Sequence, residues 1–516
     1  MTYLAVSILA GEEDGFAKQL RLAQKRGAEA IEIRADALAQ LNAEAVLKMV
    51  RLVQKAKLPA IVTCRDKTEG GVAEIDFSLR LSILREAILA GVDFVDIEYE
   101  NFKHPDTCSV LKAALEQSET RLILSCHNFD RPFDDLELLY EAILAACPDA
   151  IPKIVHRARH INDCFAVFDL LQSADRPLIA FCMGPAGQIS RILAKKFEAF
   201  LTFASLDDDS ATAPGQVPVQ QMKKLYRWDH QDASTEIFGL IGNPVCHSLG
   251  PALYNACFDA EHFNAVYLPF LVEGDTEEFG AFLDHVSSRP KFGFGGFSVT
   301  LPHKTHALDY ANLHGDYVDN LAEAIGAVNT LKIGFNGLLS AYNTDYSGAM
   351  DALTATMGAD RHDLHKTKVA VVGAGGVARA VVAGLADVAA RVTIYNRTFS
   401  KAESLAKEFG CKSASIDKLS QTKATILINC TSLGMHPHVD VSPVPDGVVR
   451  EDMIVFDTVY NPLQTKLLQD AKTAGATVVD GAEMFIRQAM AQYKIYVGSA
   501  PDEERMRQVV YQSLNP

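Results

Sequence analysis

The chain has 516 residues, 48% of them hydrophobic and 22% charged, and a formal net charge of −16 at pH 7. That length exceeds what one hydrophobic core sustains and predicts roughly two to four domains. The acidic balance excludes nucleic acid and anionic membrane as partners of the whole surface, since phosphates are repelled, and leaves room for a local basic pocket holding a small anion.

The opening MTYLAVSILAGEEDG lacks a basic n-region and meets acids quickly, so it reads as a first strand rather than a signal peptide. No apolar run is long enough to span a bilayer. Ten cysteines are scattered without a CxxC pair. That pattern predicts neither a metal cage nor a disulfide framework, but thiols in a reducing, cytoplasmic compartment.

Short apolar, β-rich runs then recur about every thirty residues: YLAVSIL at Tyr3, AIEIR at Ala30, PAIVTC at Pro59, DFVDIE at Asp93, RLILSC at Arg121, AIPKIV at Ala150, PLIAFC at Pro177 and FLTFAS at Phe200. Amphipathic stretches such as DFSLRLSILREAILAG separate several of them. Alternating strands and helices with near-continuous apolar strands predict a parallel sheet, and eight such units fit a (βα)8 TIM barrel. Chemistry in such barrels collects at the carboxyl ends of the strands. Those ends carry Ser7, Glu32, Arg34, Arg65, Glu98, His127 and the Lys153/His156 region, a set suited to a small, negatively charged polar substrate. Lys153 stands out because it interrupts an apolar strand. Burial, together with the cations Arg34, Arg65 and Arg191, is expected to favour its neutral amine, the form that attacks a carbonyl. His127, at the end of the preceding strand, is the natural proton shuttle beside a Schiff base.

These residues resemble a family. EIR at Glu32, TCRDKTEGG at Thr63, SCHNF at Ser125, PKIV at Pro152, MGPAGQISR at Met183 and TAPGQ at Thr212 look like type I 3-dehydroquinate dehydratase, in order from Ser7 to Gln216. The resemblance implies Lys153 as imine-forming nucleophile, His127 as acid/base and Glu69 as assistant. It implies Arg191 on the substrate carboxylate, with Ser7, Glu32, Arg34, Arg65, Met183, Phe203 and Gln216 as further substrate contacts. It also turns DDDSATAPGQVPVQ, a linker by composition, into a mobile lid carrying Gln216, and moves the expected linker to RWDHQDAST, Arg227 to Thr235.

From Glu236 the alternation restarts with EIFGLIG, AVYLPF, FGGFSVT, GAVNTLKI and GLLSAYN, which predict a smaller α/β domain. KVAVVGAGGVARA, RVTIYNRT, ATILINCTSLGM, MIVFDTVY and ATVVDG follow as a Rossmann-like series. The glycine loop comes after an apolar strand and opens an alanine-rich helix, the context a dinucleotide site requires. Gly373 permits the tight turn, Gly375 lets the backbone approach a pyrophosphate, and Ala378 packs helix against sheet. Ala374, Gly376 and Val377 complete the loop. The second strand ends in Asn396, Arg397 and Thr398 instead of an acid, so a 2′-phosphate is welcome and NADP is preferred over NAD.

Lys304 follows a strand in FSVTLPHK, and Asp345 sits in YNTDY; together they would make a charge-assisted pair beside a hydroxyl being oxidised. GLIGNPVCHSLGP, SVTLPHK, GAVNT, YNTDY, GAGGVARA, NRT, NCTSLGM, YNPLQTKLL and MFIRQAMAQY resemble shikimate dehydrogenase across Gly239–Tyr493. The resemblance implies Lys304 and Asp345 as the catalytic pair. Ser248, Thr300, Asn329, Tyr460 and Gln488 become substrate contacts, and Thr431 and Ser432 lie near the cofactor. The expected domains are a barrel over 1–226, a substrate domain over 236–344 plus 481–516, and a Rossmann domain over 345–480. The two resemblances name consecutive steps: 3-dehydroquinate to 3-dehydroshikimate, then NADPH-dependent reduction to shikimate.

One departure bears on specificity. Shikimate dehydrogenases usually carry Ser-x-Ser where this chain reads HSLGP, with Ser248 kept and Gly250 in the second place. Losing a donor to a charged group costs on the order of 1.5–3 kcal/mol, and the vacated space fits the extra hydroxyl of quinate. The alternative reading is therefore a quinate or quinate/shikimate dehydrogenase. A non-catalytic ligand-binding regulator would have lost its nucleophiles, yet Lys153, His127, Lys304 and Asp345 all remain.

Overall fold

The computed structural model describes residues 2–246 and 248–514. The motif residue His247 lies outside them. Contacts divide the chain into two compact units. The first runs to Glu236 and adds Asn264–Glu273; the second takes Ile237–Phe263 and continues from Gly274.

The first unit is built on β1 (Tyr3–Ile8), β2 (Ala30–Arg34), β3 (Ala60–Thr63), β4 (Phe94–Glu98), β5 (Arg121–Asn128), β6 (Ile151–Arg157), β7 (Ile179–Met183) and β8 (Leu201–Ala204). All pair in parallel, in the order β7-β6-β5-β4-β3-β2-β1-β8. Where β7 and β8 approach, Phe200 N–H donates to Leu178 O at 2.7 Å, so the barrel is nearly closed instead of fully laddered. The interior is filled by inward residues of successive strands, among them Ala5, Ala30, Ile61, Ile123, Ile151, Ile179 and Leu201. Every strand is short and rich in branched apolar residues, as burial on both faces requires. The helices between them start at capping side chains. Asn42 accepts from Ala45 N at 2.9 Å ahead of Ala43–Lys55, and Asp76 accepts from Ser78 N at 2.9 Å ahead of Phe77–Leu89.

The segment Arg227–Thr235, expected as a linker, is packed down on this unit. Trp228 is wholly buried, and its indole N–H lies 3.2 Å from each carboxylate oxygen of Glu29. Lys223 reaches the same carboxylate at 2.6 Å. The segment's own acids and amide are engaged elsewhere on this unit: Asp229 pairs with Lys223 at 2.6 Å, Gln231 donates to Tyr226 O at 2.7 Å, and Asp232 accepts from Ser234 N at 2.7 Å.

In chain order follow β9 (Glu236–Gly242), β10 (Ala265–Leu271, grouped with the first unit), β11 (Phe294–Val299), β12 (Tyr317–Val318), β13 (Thr330–Ile333) and β14 (Leu339–Tyr342). β11 pairs in parallel with β9 and antiparallel with β13, and β14 joins β13 to β12. The second sheet of this unit comprises β15 (Lys368–Val372), β16 (Arg391–Asn396), β17 (Lys412–Ser415), β18 (Ile426–Asn429), β19 (Ile454–Asp457) and β20 (Thr477–Val479). Its order is β17-β16-β15-β18-β19-β20, all parallel, which is the doubly wound dinucleotide-binding order. The helix Gly376–Asp387 buries Ala378, Ala380, Val381 and Val382 against it. No helix among the described residues is long and apolar enough to cross a membrane.

Candidate active sites

The strand ends of the barrel line one open pocket. Ser7, Glu32, Arg34, Arg65, Glu69, His127, Lys153, Met183, Arg191, Phe203 and Gln216 all border it, so every residue expected of the first site is brought to one place. Register explains part of this: Ser7 lies opposite Glu32, and Ser125 opposite both Glu98 and Lys153.

Lys153 is buried in β6, and its ammonium donates to Asp96 Oδ2 at 2.7 Å, with Glu32 Oε1 at 3.8 Å. The expected cations share the pocket with Lys153, but its direct partners are acids. Asp96 also accepts from Arg65 Nη2 at 2.8 Å and from the Ser125 hydroxyl at 2.7 Å. Against the opposing effect of burial, Arg65 and Lys153 hold the Asp96 carboxyl far below the usual carboxylate range. Arg65 donates further to Glu98 at 2.9 Å, and Arg34 is fixed on Asp36 at 2.7 Å. Both arginines are thus engaged by acids. Asp96 is the residue that sequence reasoning missed. DFVDIE was read as an apolar run ending in an acid, but its period of two already put Asp96 and Glu98 on one face.

His127 Nδ1 lies 2.9 Å from Glu69 Oε2, which also accepts the His127 backbone N–H at 3.0 Å. Burial, then the charges of Arg65 and Lys153, push His127 well below the ordinary imidazole value. Burial pushes Glu69 up to about 8. One Glu69 oxygen already accepting a backbone N–H suits a neutral imidazole that donates from Nδ1 and leaves Nε2 as the free base.

Arg191 differs from the other two arginines. It is buried, its guanidinium sits 4.2 Å from the Phe181 ring centroid, and its hydrogen bond to Phe203 O is long at 3.4 Å. Its Nε has no partner, and among the described residues no carboxylate reaches it. Burial pushes it down to about 9. A buried cation left this way is a receptor for an anion. Gln216 is turned into its own loop, accepting from Thr212 N at 2.8 Å, while Pro214 O accepts from Gly184 N at 3.1 Å.

In the second unit Lys304 and Asp345 open the helices Lys304–His314 and Asp345–Met357, and Lys304 Nζ meets Asp345 Oδ2 at 2.5 Å. Asn329 Nδ2 donates to Asp345 Oδ1 at 2.9 Å, fixing the carboxylate from its other side. Behind it lies a buried network that the sequence did not announce. Gln492 donates to Asn329 O at 3.0 Å and accepts from Ser298 and Tyr254 hydroxyls at 2.7 Å each. Gln488, on the same helix (Gly481–Val497), packs over Gly348. Thr300 lies against Gly242, and Ser248 Oγ accepts from Gly250 N at 3.0 Å. Tyr460 stacks on Phe485 at 4.9 Å.

The glycine loop fits a dinucleotide. Gly373 has φ +118°, and a Cβ there would meet Cys430 O at 2.9 Å. A Cβ on Gly375 would stand in open space, so the backbone there is free to be approached, and Gly376 lies beside the Lys304 stem. The first N–H groups of the helix, at Gly376, Val377 and Ala378, have no intrahelical acceptor. At the end of β16, Asn396 Nδ2 bonds Thr398 O at 2.9 Å, while Arg397 and Thr398 are exposed. Thr431 is held by Asn429 next to Gly373, and Ser432 is exposed.

Fold and sites define a two-site enzyme: a lysine-bearing α/β barrel followed by a Rossmann-type oxidoreductase. Residues 4–233 match the type I 3-dehydroquinase family, 240–331 the shikimate dehydrogenase substrate binding domain, 355–457 the shikimate/quinate 5-dehydrogenase family and 481–511 the shikimate 5′-dehydrogenase C-terminal domain. The chloroplastic bifunctional 3-dehydroquinate dehydratase/shikimate dehydrogenase of Arabidopsis thaliana is 34% identical over 98% of this chain and 84% of its own. The chain belongs to this bifunctional 3-dehydroquinate dehydratase/shikimate dehydrogenase family. Its second half is also similar to the shikimate dehydrogenase (NADP(+)) of Methanosarcina barkeri, 38% identical over 54% of this chain and 99% of that one. A crystal structure of a shikimate dehydrogenase in complex with NADP+ is 38% identical, covering 55% of this chain and 97% of its own, with a TM-score of 0.50.

Proposed function

We propose that the barrel dehydrates 3-dehydroquinate to 3-dehydroshikimate through an imine on Lys153, and that the second unit reduces the product to shikimate with NADPH. The observation carrying this reading is that a buried lysine, a histidine paired with Glu69 and a guanidinium without a carboxylate border one pocket. Arg191 takes the substrate carboxylate as a planar fork. Lys153 gives up a proton, its neutral Nζ attacks the ketone carbon, and that proton departs with the oxygen as water, giving an iminium. His127 Nε2 removes a proton from the neighbouring carbon; the C–H pair becomes a C=C bond and the C=N π pair moves onto nitrogen. The resulting enamine expels the β-hydroxyl as water, using the proton His127 carries. Water then adds to the iminium, freeing the product ketone and the amine.

In the second site, NADPH supplies a hydride when bound. Lys304 gives a proton to the substrate oxygen, Asp345 holds that ammonium, and Asn329 holds Asp345. Gly373–Ala378 would hold the pyrophosphate, with Thr431 and Ser432 as further cofactor contacts. Arg397, with Asn396 and Thr398, would hold the 2′-phosphate. Ser248, Thr300, Tyr460 and Gln488 contact the substrate. The barrel takes in Arg227–Thr235 beyond the expected end at 226, while the substrate domain over 236–344 plus 481–516 and the Rossmann domain over 345–480 keep the boundaries given above, with the C-terminal helices returning to the substrate domain. Ten free cysteines favour a cytoplasmic setting.

A second reading has one observation in its favour. Ser248 Oγ is engaged by the Gly250 N–H, and Gly250 supplies no hydroxyl of its own to the substrate side. Product identification separates the two. The full chain and its Lys153→Ala variant are given 3-dehydroquinate and NADPH. Shikimate from the parent and none from the variant supports the tandem reading; quinate from both means direct reduction of 3-dehydroquinate by the second site.

A further inference from the structure

Two buried side chains of the second unit have no part in the chemistry above. Asn429 ends β18, Asp457 ends β19, the two are register partners, and both are wholly buried. Asp457 Oδ1 accepts Asn429 Nδ2–H at 2.9 Å and the Val459 backbone N–H at 3.1 Å, while Oδ2 accepts the Thr465 hydroxyl at 2.7 Å. Asn429 Oδ1 in turn accepts the backbone N–H and the hydroxyl of Thr431, at 2.9 and 2.7 Å. An ionisable group held in the interior by neutral donors is a poor stabiliser compared with apolar packing. What the pair does achieve is geometric.

Two loops leave these strand ends. One carries Thr431, and a Cβ on Gly373 would meet Thr431 Cγ2 at 3.2 Å, so this loop abuts the glycine loop. The other carries Val459 and Tyr460, and Tyr460 stacks on Phe485 of the helix that also carries Gln488. The same helix begins at Gly481, where a Cβ would meet Val459 O at 2.4 Å. Asn429 thus fixes the cofactor-side loop and Asp457 the substrate-side loop, and a hydrogen bond joins them.

We infer that Asn429 and Asp457 form a positioning pair that ties the dinucleotide loop to the substrate loop of the second site, so that loosening it weakens both ligands together. The inference rests on the functional reading above and adds residues to that site that neither catalyse nor touch a ligand.

The test uses the full chain, with Michaelis constants for NADPH and 3-dehydroshikimate and the dehydratase rate as internal control. Asp457→Asn keeps an oxygen for Asn429 and Val459 and turns its NH2 toward the Thr465 hydroxyl, so both constants stay within about threefold of the parent. Asp457→Ala strands three donors and raises both constants roughly 10- to 100-fold, with the dehydratase kcat/KM unchanged. If the alanine variant does not fold, Thr465→Val removes one donor and carries the same expectation at a smaller scale, with Thr465→Ser restoring parental values. A rise in one constant alone, no rise in either, or an asparagine variant as defective as alanine overturns the proposal. A parent that fails to reduce 3-dehydroshikimate overturns the functional reading, and the proposal with it.

Discussion

Replacing Arg191 by methionine should make the unliganded barrel more stable while destroying its first activity. The guanidinium is buried without an acid, one of its nitrogens has no acceptor, and burial pushes it down to about 9. The sign follows from linkage. A base whose folded value is lowered binds fewer protons when folded, so its penalty is fully present at pH 7 and is relieved only as pH rises past about 9. The contact with Phe181 at 4.2 Å offsets part of this. Replacing a buried charge by an apolar chain of similar length then stabilises by about 1–4 kcal/mol. For a unit of this size that is a rise of roughly 2–10 °C in Tm. If the substrate carboxylate pairs with Arg191 as proposed, its loss costs about 3–4 kcal/mol, or roughly 10²–10³ in dehydratase kcat/KM. Scanning calorimetry of parent and variant, with and without 3-dehydroquinate, checks both halves. The ligand should raise the parent's barrel transition and leave the variant's unmoved. A variant less stable than the parent, or one retaining kcat/KM within threefold, would refute the argument that Arg191 is held for an anion.

Two further expectations concern residues with different physics. Glu69, raised to about 8 by burial, takes up a proton on folding, so its stabilising contribution is complete below the ordinary glutamate range and fades as pH climbs toward 8. The dehydratase pH profile should therefore show an alkaline limb near pH 8 that disappears in Glu69→Gln; a limb of the same position in the variant would remove Glu69 from the account. Gly250→Ser restores a hydroxyl beside Ser248 and should raise the preference for shikimate over quinate by about tenfold in kcat/KM, read by initial rates on the two substrates. An unchanged ratio would sink the steric argument.

The barrel was legible because its strands are almost pure branched aliphatics and its chemistry sits where those runs stop. β12 and β17 were not. Tyr317–Val318 is two residues long, and Lys412–Ser415 is a partly exposed edge with no apolar alternation to betray it. Arg227–Thr235, expected as the linker only because the resemblance turns the preceding acidic stretch into a lid, belongs to the first unit, where Trp228 is buried and its indole N–H meets Glu29. Lys153 was placed correctly, but its neighbourhood was not. Residue spacing shows which side chains share a face; it does not show that Arg65 is already spoken for by Asp96 and Glu98. Pairing between strands decides that, and pairing is a property of the folded register.

The same distinction explains why the second site resisted reading more than the first. A barrel presents each functional side chain from its own strand end, so the chain order of motifs is nearly the spatial order of the pocket. Lys304 and Asp345 instead occupy the first turns of two different helices, and what holds them is a third residue, Asn329, set by Gln492 from 163 residues away along the chain. Asn343 adds the local half of the arrangement: its side-chain oxygen accepts the Asp345 N–H at 3.0 Å and fixes the entry of that helix. A capping asparagine is visible in a sequence, but a buried glutamine that orients an asparagine that orients an aspartate is not. Its signature appears only once burial leaves Gln492 with every polar atom satisfied by one of these partners.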